Sequence, residues 1–184
     1  MKIVANTGTD RVIDLIRPHL KGGSQLDVVT PSFSLFAFAE MLEALSGLGK
    51  VHLLLPLEEA ELAFLGGDSD RASRNRLQTR WLARRCAEWV RDKVELRRTR
   101  GNVPQGAVVM RNSQAHPEQV ILGSFAFSTD GLGMTPGNPL SLIQASESAD
   151  EAAKLSQWFD MQWGALPAQP AAQDTFVDAL QSLC

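Results

Sequence analysis

A strand, helix and strand in succession near the start of the chain constrain its fold more than any other feature. Gln25 to Thr30 is a short apolar run in which Leu26, Val28 and Val29 are bounded by Gly22-Gly23-Ser24 before and Pro31 after, so it reads as a buried strand. Ser34 to Ser46 places Leu35, Phe38, Leu42 and Leu45 on one helical stripe and stops at Gly47. Lys50 to Leu55 returns as a strand closed by Pro56. This order predicts a parallel strand pair with a right-handed helical crossover, and so an α/β fold.

The rest of the chain extends the same pattern. Thr9 to Leu20 has Val12, Ile13, Ile16 and Leu20 at helical spacing and ends at Gly22-Gly23. After a loop at Gly66 to Ser69, a long helix is predicted from about Ser73 to Lys93, with Leu82, Cys86, Trp89 and Val90 on a packing arc. Strands are expected at Val94 to Thr99, Ala107 to Arg111, Val120 to Ser124 and Leu140 to Ala145, and helices at Ser148 to Trp163 and Asp174 to Leu183. The expected architecture is a mixed β-sheet flanked by helices on both faces. At 184 residues one domain is expected, over residues 1–164. Ala165 to Gln173, rich in Ala and Pro, reads as a linker, and residues 165–184 as that linker plus the start of a helix leading to a further domain.

Charge is segregated along the chain. Between Arg71 and Arg100 there are eleven basic residues against Glu88, Asp92 and Glu95, a balance of +8. The whole chain has 18 basic and 21 acidic residues, so the remainder carries seven against 18, a balance of −11. A basic segment in an acidic protein sets up a local positive field that suits a phosphate backbone. On the long helix, Arg76, Arg80, Arg84 and Arg91 share an arc opposite the packing one and are the candidate nucleic-acid contacts; a solvated helix face is the alternative. The stretch from Val28 to Ala39 is broken by Thr30, Pro31, Ser32 and Ser34 and cannot span a bilayer. Met1 to Ala5 carries no export signal, so the expected compartment is the cytoplasm. Cys86 and Cys184 read as reduced thiols, and no metal site or cofactor motif is indicated.

From Lys93 onward the residues resemble a known family. Ala107-Val108-Val109-Met110, then Val120-Ile121-Leu122-Gly123-Ser124, then Gly131-Leu132 and Asn138 resemble the phospholipase-D-like family. The likeness is to the divergent copies at the N-termini of bacterial helicase and restriction proteins, and Asp27 to Ser34 with Lys50 to Pro56 is similar to the family's opening strands. The resemblance implies a strand bearing His-x-Lys, a strand ending in Gly-Ser-x-Asn, then Gly-Leu and Asn-x-Glu. Here the catalytic half departs from that pattern. The histidine position is Pro104, the lysine position Gly106, the Asn of Gly-Ser-x-Asn is Ala126, and the Glu of Asn-x-Glu is Leu140. Family chemistry needs a histidine nucleophile on phosphorus and a cation on the phosphate oxygens, and these residues supply neither. Shifting His116 into the histidine position would put Glu118 in place of the lysine, which repels phosphate; Ser113 to Pro117 reads as a turn, and His19 and His52 read as structural.

The expectation is therefore a non-catalytic module that binds DNA through the inherited cleft, with Ser124, and the arginine helix. It would serve an attached superfamily-two helicase or restriction-type ATPase lying downstream. The alternatives are a homodimerisation scaffold and a residual phosphodiesterase.

Overall fold

The computed structural model describes residues 1–57 and 76–183, with side chains in the second stretch from Gln78 onward. The Gly66 to Ser69 loop, the start of the long helix before residue 76, the Arg76 side chain and Cys184 lie outside the described residues. Strands are β1 (Lys2–Ile3), β2 (Gln25–Val29), β3 (Lys50–Leu55), β4 (Val94–Arg98), β5 (Gly106–Arg111), β6 (Pro117–Gly123) and β7 (Ile143–Ser146). Helices are α1 (Val12–Ile16), α2 (Leu35–Glu40), α3 (Leu42–Ser46), α4 (Arg76–Lys93), α5 (Ala149–Gly164) and α6 (Pro170–Gln181). The strands form one mixed sheet in the order β1-β7-β6-β5-β2-β3-β4. β2 and β3 pair parallel, with Leu26 opposite Val51 and Val28 opposite Leu53, as the strand, helix, strand pattern predicts. β3 and β4 are also parallel, whereas β5, β6, β7 and β1 are joined to their neighbours antiparallel.

Alternation along each strand sorts its side chains into two buried clusters. Leu26 and Val28, Val51, Leu53 and Leu55, Val94 and Leu96, Val108 and Met110 join residues of α1, α2, α3, α4 and α6 in the larger one. Val29, Leu54, Val109 and Val120 join Ala152 and Phe159 of α5 in the smaller. On α4 the buried residues include Leu82, Cys86, Trp89 and Val90, the arc assigned to packing by periodicity. Burial pushes the Cys86 thiol well above the ordinary range, so it stays protonated and inert.

Several boundaries differ from the sequence expectation for identifiable reasons. The first helix gives way to a 3₁₀ turn at Arg17–His19, where Pro18 has no N–H to continue the ladder. The second is split at Met41, with the Glu40 carbonyl taken by the Arg17 guanidinium at 3.3 Å. The last strand begins at Ile143 rather than Leu140, because the Asn138 side chain accepts from the Leu140 N–H and holds a turn. The linker reading of Ala165 to Gln173 is corrected. Pro170 opens α6 at a position where its missing N–H costs nothing, and Phe176, Val177 and Leu180 are buried in the main core. Gln169 and Gln173 bind the edge strand: Gln173 Oε1 accepts from Leu96 N at 3.2 Å, and Gln169 Oε1 from Arg98 N at 2.9 Å. The stretch is thus docked on β4. Among the described residues no helix is long and apolar enough to cross a membrane.

Candidate functional site

The main cleft, about 1080 Å³, lies at one end of the sheet, where β1, β2 and β6 finish and β5 and β7 begin. It collects Asn6 and Arg11 after β1, Ser32 and Ser34 after β2, Pro104 and Gln105 before β5, Ser124, Ala126 and Ser128 after β6, and Asn138 before β7. The carboxyl ends of strands are where open α/β sheets place ligand sites, because the loops there diverge. The loops are cross-tied. Phe127 N donates to Thr30 Oγ1 at 2.8 Å and Ser34 N to the Phe127 carbonyl at 2.8 Å, so the turn after β6 is fixed to the turn after β2. Asn6 accepts from Val12 N at 3.0 Å and donates to the Gly131 carbonyl at 3.0 Å, which joins the N-terminal loop to the 128–133 turn.

The chemistry of the lining is polar and almost uncharged. Among the described residues the lining has one guanidinium, Arg11, which is committed to Asp14 through two bonds of 2.8 and 2.9 Å. Those bonds hold the Asp14 carboxyl below the usual carboxylate range. The one carboxylate, Asp130, is tied to Ser128 Oγ at 2.7 Å and to Gly131 N at 2.9 Å, and so shapes its own turn. No histidine, lysine or cysteine is found in the lining among the described residues.

The positions singled out from sequence divide here. Pro104, Ala126, Ser124 and Asn138 meet in the cleft. Gly106 does not line it; it is buried at the start of β5 opposite Gly123, and a Cβ there would stand 2.5 Å from the Phe125 carbonyl oxygen. Leu140 is 88% exposed and also outside the lining. His116 lies in the turn between β5 and β6, at the far end of β6 from Ser124, where Asn112 Oδ1 accepts from its N–H at 3.1 Å. Seven residues of strand separate the two ends, roughly 20 Å. His19 faces Glu118, with Nδ1 3.8 Å from a carboxylate oxygen. On α4, Arg80, Arg84 and Arg91 are exposed; none contributes to the cleft.

Sequence reading missed a second polar cluster on the sheet face beneath α5. Asp27 is fully buried and accepts from Arg111 Nε at 2.6 Å, and His52 Nδ1 lies 2.8 Å from its other oxygen. Arg111 also donates to the exposed Asp160 at 3.0 Å. His52 packs on Phe159 and Trp163, and the Arg97 guanidinium covers the Trp163 ring at 4.3 Å. The available signal was one charged residue inside Leu26-Asp27-Val28-Val29 and another ending Ala107 to Arg111. Strand pairing alone brings them together, which makes this a cross-strand brace far from the cleft.

No protein-family model matches the sequence, and no curated protein matches it. Among solved structures, the crystal structure of polyphosphate kinase from Porphyromonas gingivalis is similar over 92% of this chain, with a TM-score of 0.55 and 12% identity. The chain spans 26% of that kinase's length. At this identity the likeness is one of fold. A second structure, of TrmBL2, an archaeal chromatin protein, aligns with 86% of this chain and 52% of its own at 12% identity and a TM-score of 0.46, below the level at which a shared fold is argued. The chain therefore has a mixed α/β fold, built on one seven-stranded sheet, that resembles part of the kinase's.

Proposed function

We propose that this chain is a phospholipase-D-like domain that binds DNA without cleaving it, as a module beside a helicase or restriction-type ATPase. The helicase part of the reading rests on the sequence resemblance. The DNA-binding part is supported by one observation: the outward face of the first turns of α4 is rich in arginine, with Glu88 at its far end 4.0 Å from Arg85. Arg80, Arg84 and Arg85 are exposed there, and from Arg76 to Ala87 the helix has four arginines and no acidic residue. The second half differs. Glu88 and Asp92 share the exposed arc with Arg91, so Arg91, grouped with the other arginines by periodicity, sits beside acids. Non-catalytic binding is supported by the cleft, where among the described residues no histidine or lysine lines the site and the guanidinium of Arg11 is paired with Asp14.

The reading is tested by the salt dependence of DNA binding. With Arg80 and Arg84 both changed to Gln, the slope of log affinity against log salt should flatten by about two units, and affinity should fall alike for unrelated sequences. Arg91→Gln should flatten it less. Equal slopes in wild type and the double variant would return the α4 face to plain solvation.

A further inference from the structure

The exposed face of α4 carries an aromatic ring that the core does not use. Trp81 is 52% exposed, whereas Trp89, two turns on, is 6% exposed and donates its indole N–H to the Leu45 carbonyl at 3.1 Å. Tryptophan is seldom left half in water, because its large apolar surface is costly to hydrate. At 3.6 residues per turn, Arg84 and Arg85 stand one turn beyond Trp81, on either side of it, and Arg80 precedes it. The Arg85 guanidinium carbon lies 6.0 Å from the Trp81 ring centroid and leaves much of the ring open. Arg85 also stands 4.0 Å from Glu88, an exposed surface pair that an incoming phosphate can exchange with, so an open indole beside these exposed arginines matches a ligand that alternates flat, stackable rings with negative charges.

We propose that α4 binds single-stranded DNA, with a base stacked on Trp81 and the flanking phosphates on Arg80, Arg84 and Arg85; this rests on the reading of α4 as the DNA-binding face. A duplex presents phosphates with its bases already stacked inside, so it can engage the arginines but leaves Trp81 in water. A single strand engages both, and base-on-aromatic stacking tolerates any sequence. An anionic membrane is a poorer match. The helix's apolar arc is already buried in the core, so among the described side chains of α4 only Trp81 remains as a large apolar group to insert.

The experiment compares fluorescein-labelled dT20 with a 20-base-pair duplex by anisotropy, for wild type, Trp81→Ala, Trp81→Phe and the Arg80→Gln/Arg84→Gln double variant. The expected result is a loss of about tenfold or more in dT20 affinity for Trp81→Ala, little loss for Trp81→Phe, and duplex affinity unchanged in both. The double arginine variant should weaken both ligands. Quenching of wild-type tryptophan emission by unlabelled dT20, largely absent in Trp81→Phe, gives a readout that does not depend on the alanine variant folding. If duplex binding responds to the arginines but dT20 binding and quenching ignore Trp81, the stacking site is overturned while the DNA-binding reading stands. If wild type binds neither DNA, both fall. Trp81-dependent binding to phosphatidylserine vesicles without binding to dT20 would replace the strand with a membrane surface.

Discussion

Asp27→Ala is expected to lower the stability of the domain by about 3–5 kcal/mol, the usual cost of removing one partner from a buried ion pair. The wild-type carboxylate is wholly buried and accepts from both Arg111 and Gln25, with His52 at 2.8 Å. Deleting it leaves a guanidinium that is 9% exposed with only the surface carboxylate of Asp160 and a long contact to the Ala115 carbonyl. A typical domain is stable by about 5–15 kcal/mol, so a loss of this size is a large fraction of the whole. Urea denaturation followed by circular dichroism measures it. Adding Arg111→Met should restore part of the loss, because no uncompensated charge then remains under α5. A midpoint for Asp27→Ala equal to wild type would show that the brace contributes nothing.

Gly106→Lys, which puts the family's lysine back into its position, is expected to damage the fold and give no hydrolysis. The new Cβ would meet the Phe125 carbonyl oxygen at 2.5 Å and two carbons of the Phe125 ring at 3.0 Å. Phe125 is itself 7% exposed and packed in the main core, so it cannot swing away freely. Overpacking of this kind costs about 1–3 kcal/mol, and an unpaired ammonium in a buried strand adds to it. A thermal melt should show a transition several degrees lower, and a generic diester assay should stay at background with or without Pro104→His. A melt like wild type together with turnover would mean that the backbone at Gly106 still accepts the catalytic lysine.

Legibility from sequence followed the range of the interactions. The β2, α2 and β3 succession could be read because periodicity and Gly or Pro punctuation are local, and the same holds for the buried arc of α4. Two of the positions that the resemblance singled out, Pro104 and Ala126, line the cleft. Harder were the features made by tertiary pairing. Asp27, His52 and Arg111 come from three strands, and only the β2 to β3 and β2 to β5 registers place them together. Ala165 to Gln173 has a linker's composition, yet Gln169 and Gln173 serve the open hydrogen-bonding edge of β4, which composition cannot reveal. In the cleft, Asn6 gave no signal because it acts through a bond to Gly131 that depends on loop closure. Trp81 was hidden for another reason: its exposure is visible only once the opposite arc of α4 is seen to carry the packing.

Binding without cleavage is tested most directly by recovering the DNA after it has been bound. The protein is incubated in excess with end-labelled dT20, the complex is isolated by native electrophoresis, and the strand is extracted and run on a denaturing gel. The predicted result is a retarded complex that yields full-length strand after prolonged incubation, because among the described residues the cleft lining holds no histidine or lysine to attack or clamp the phosphate. Shortened strands that accumulate with time in the isolated complex, and persist through repurification of the protein, would contradict it.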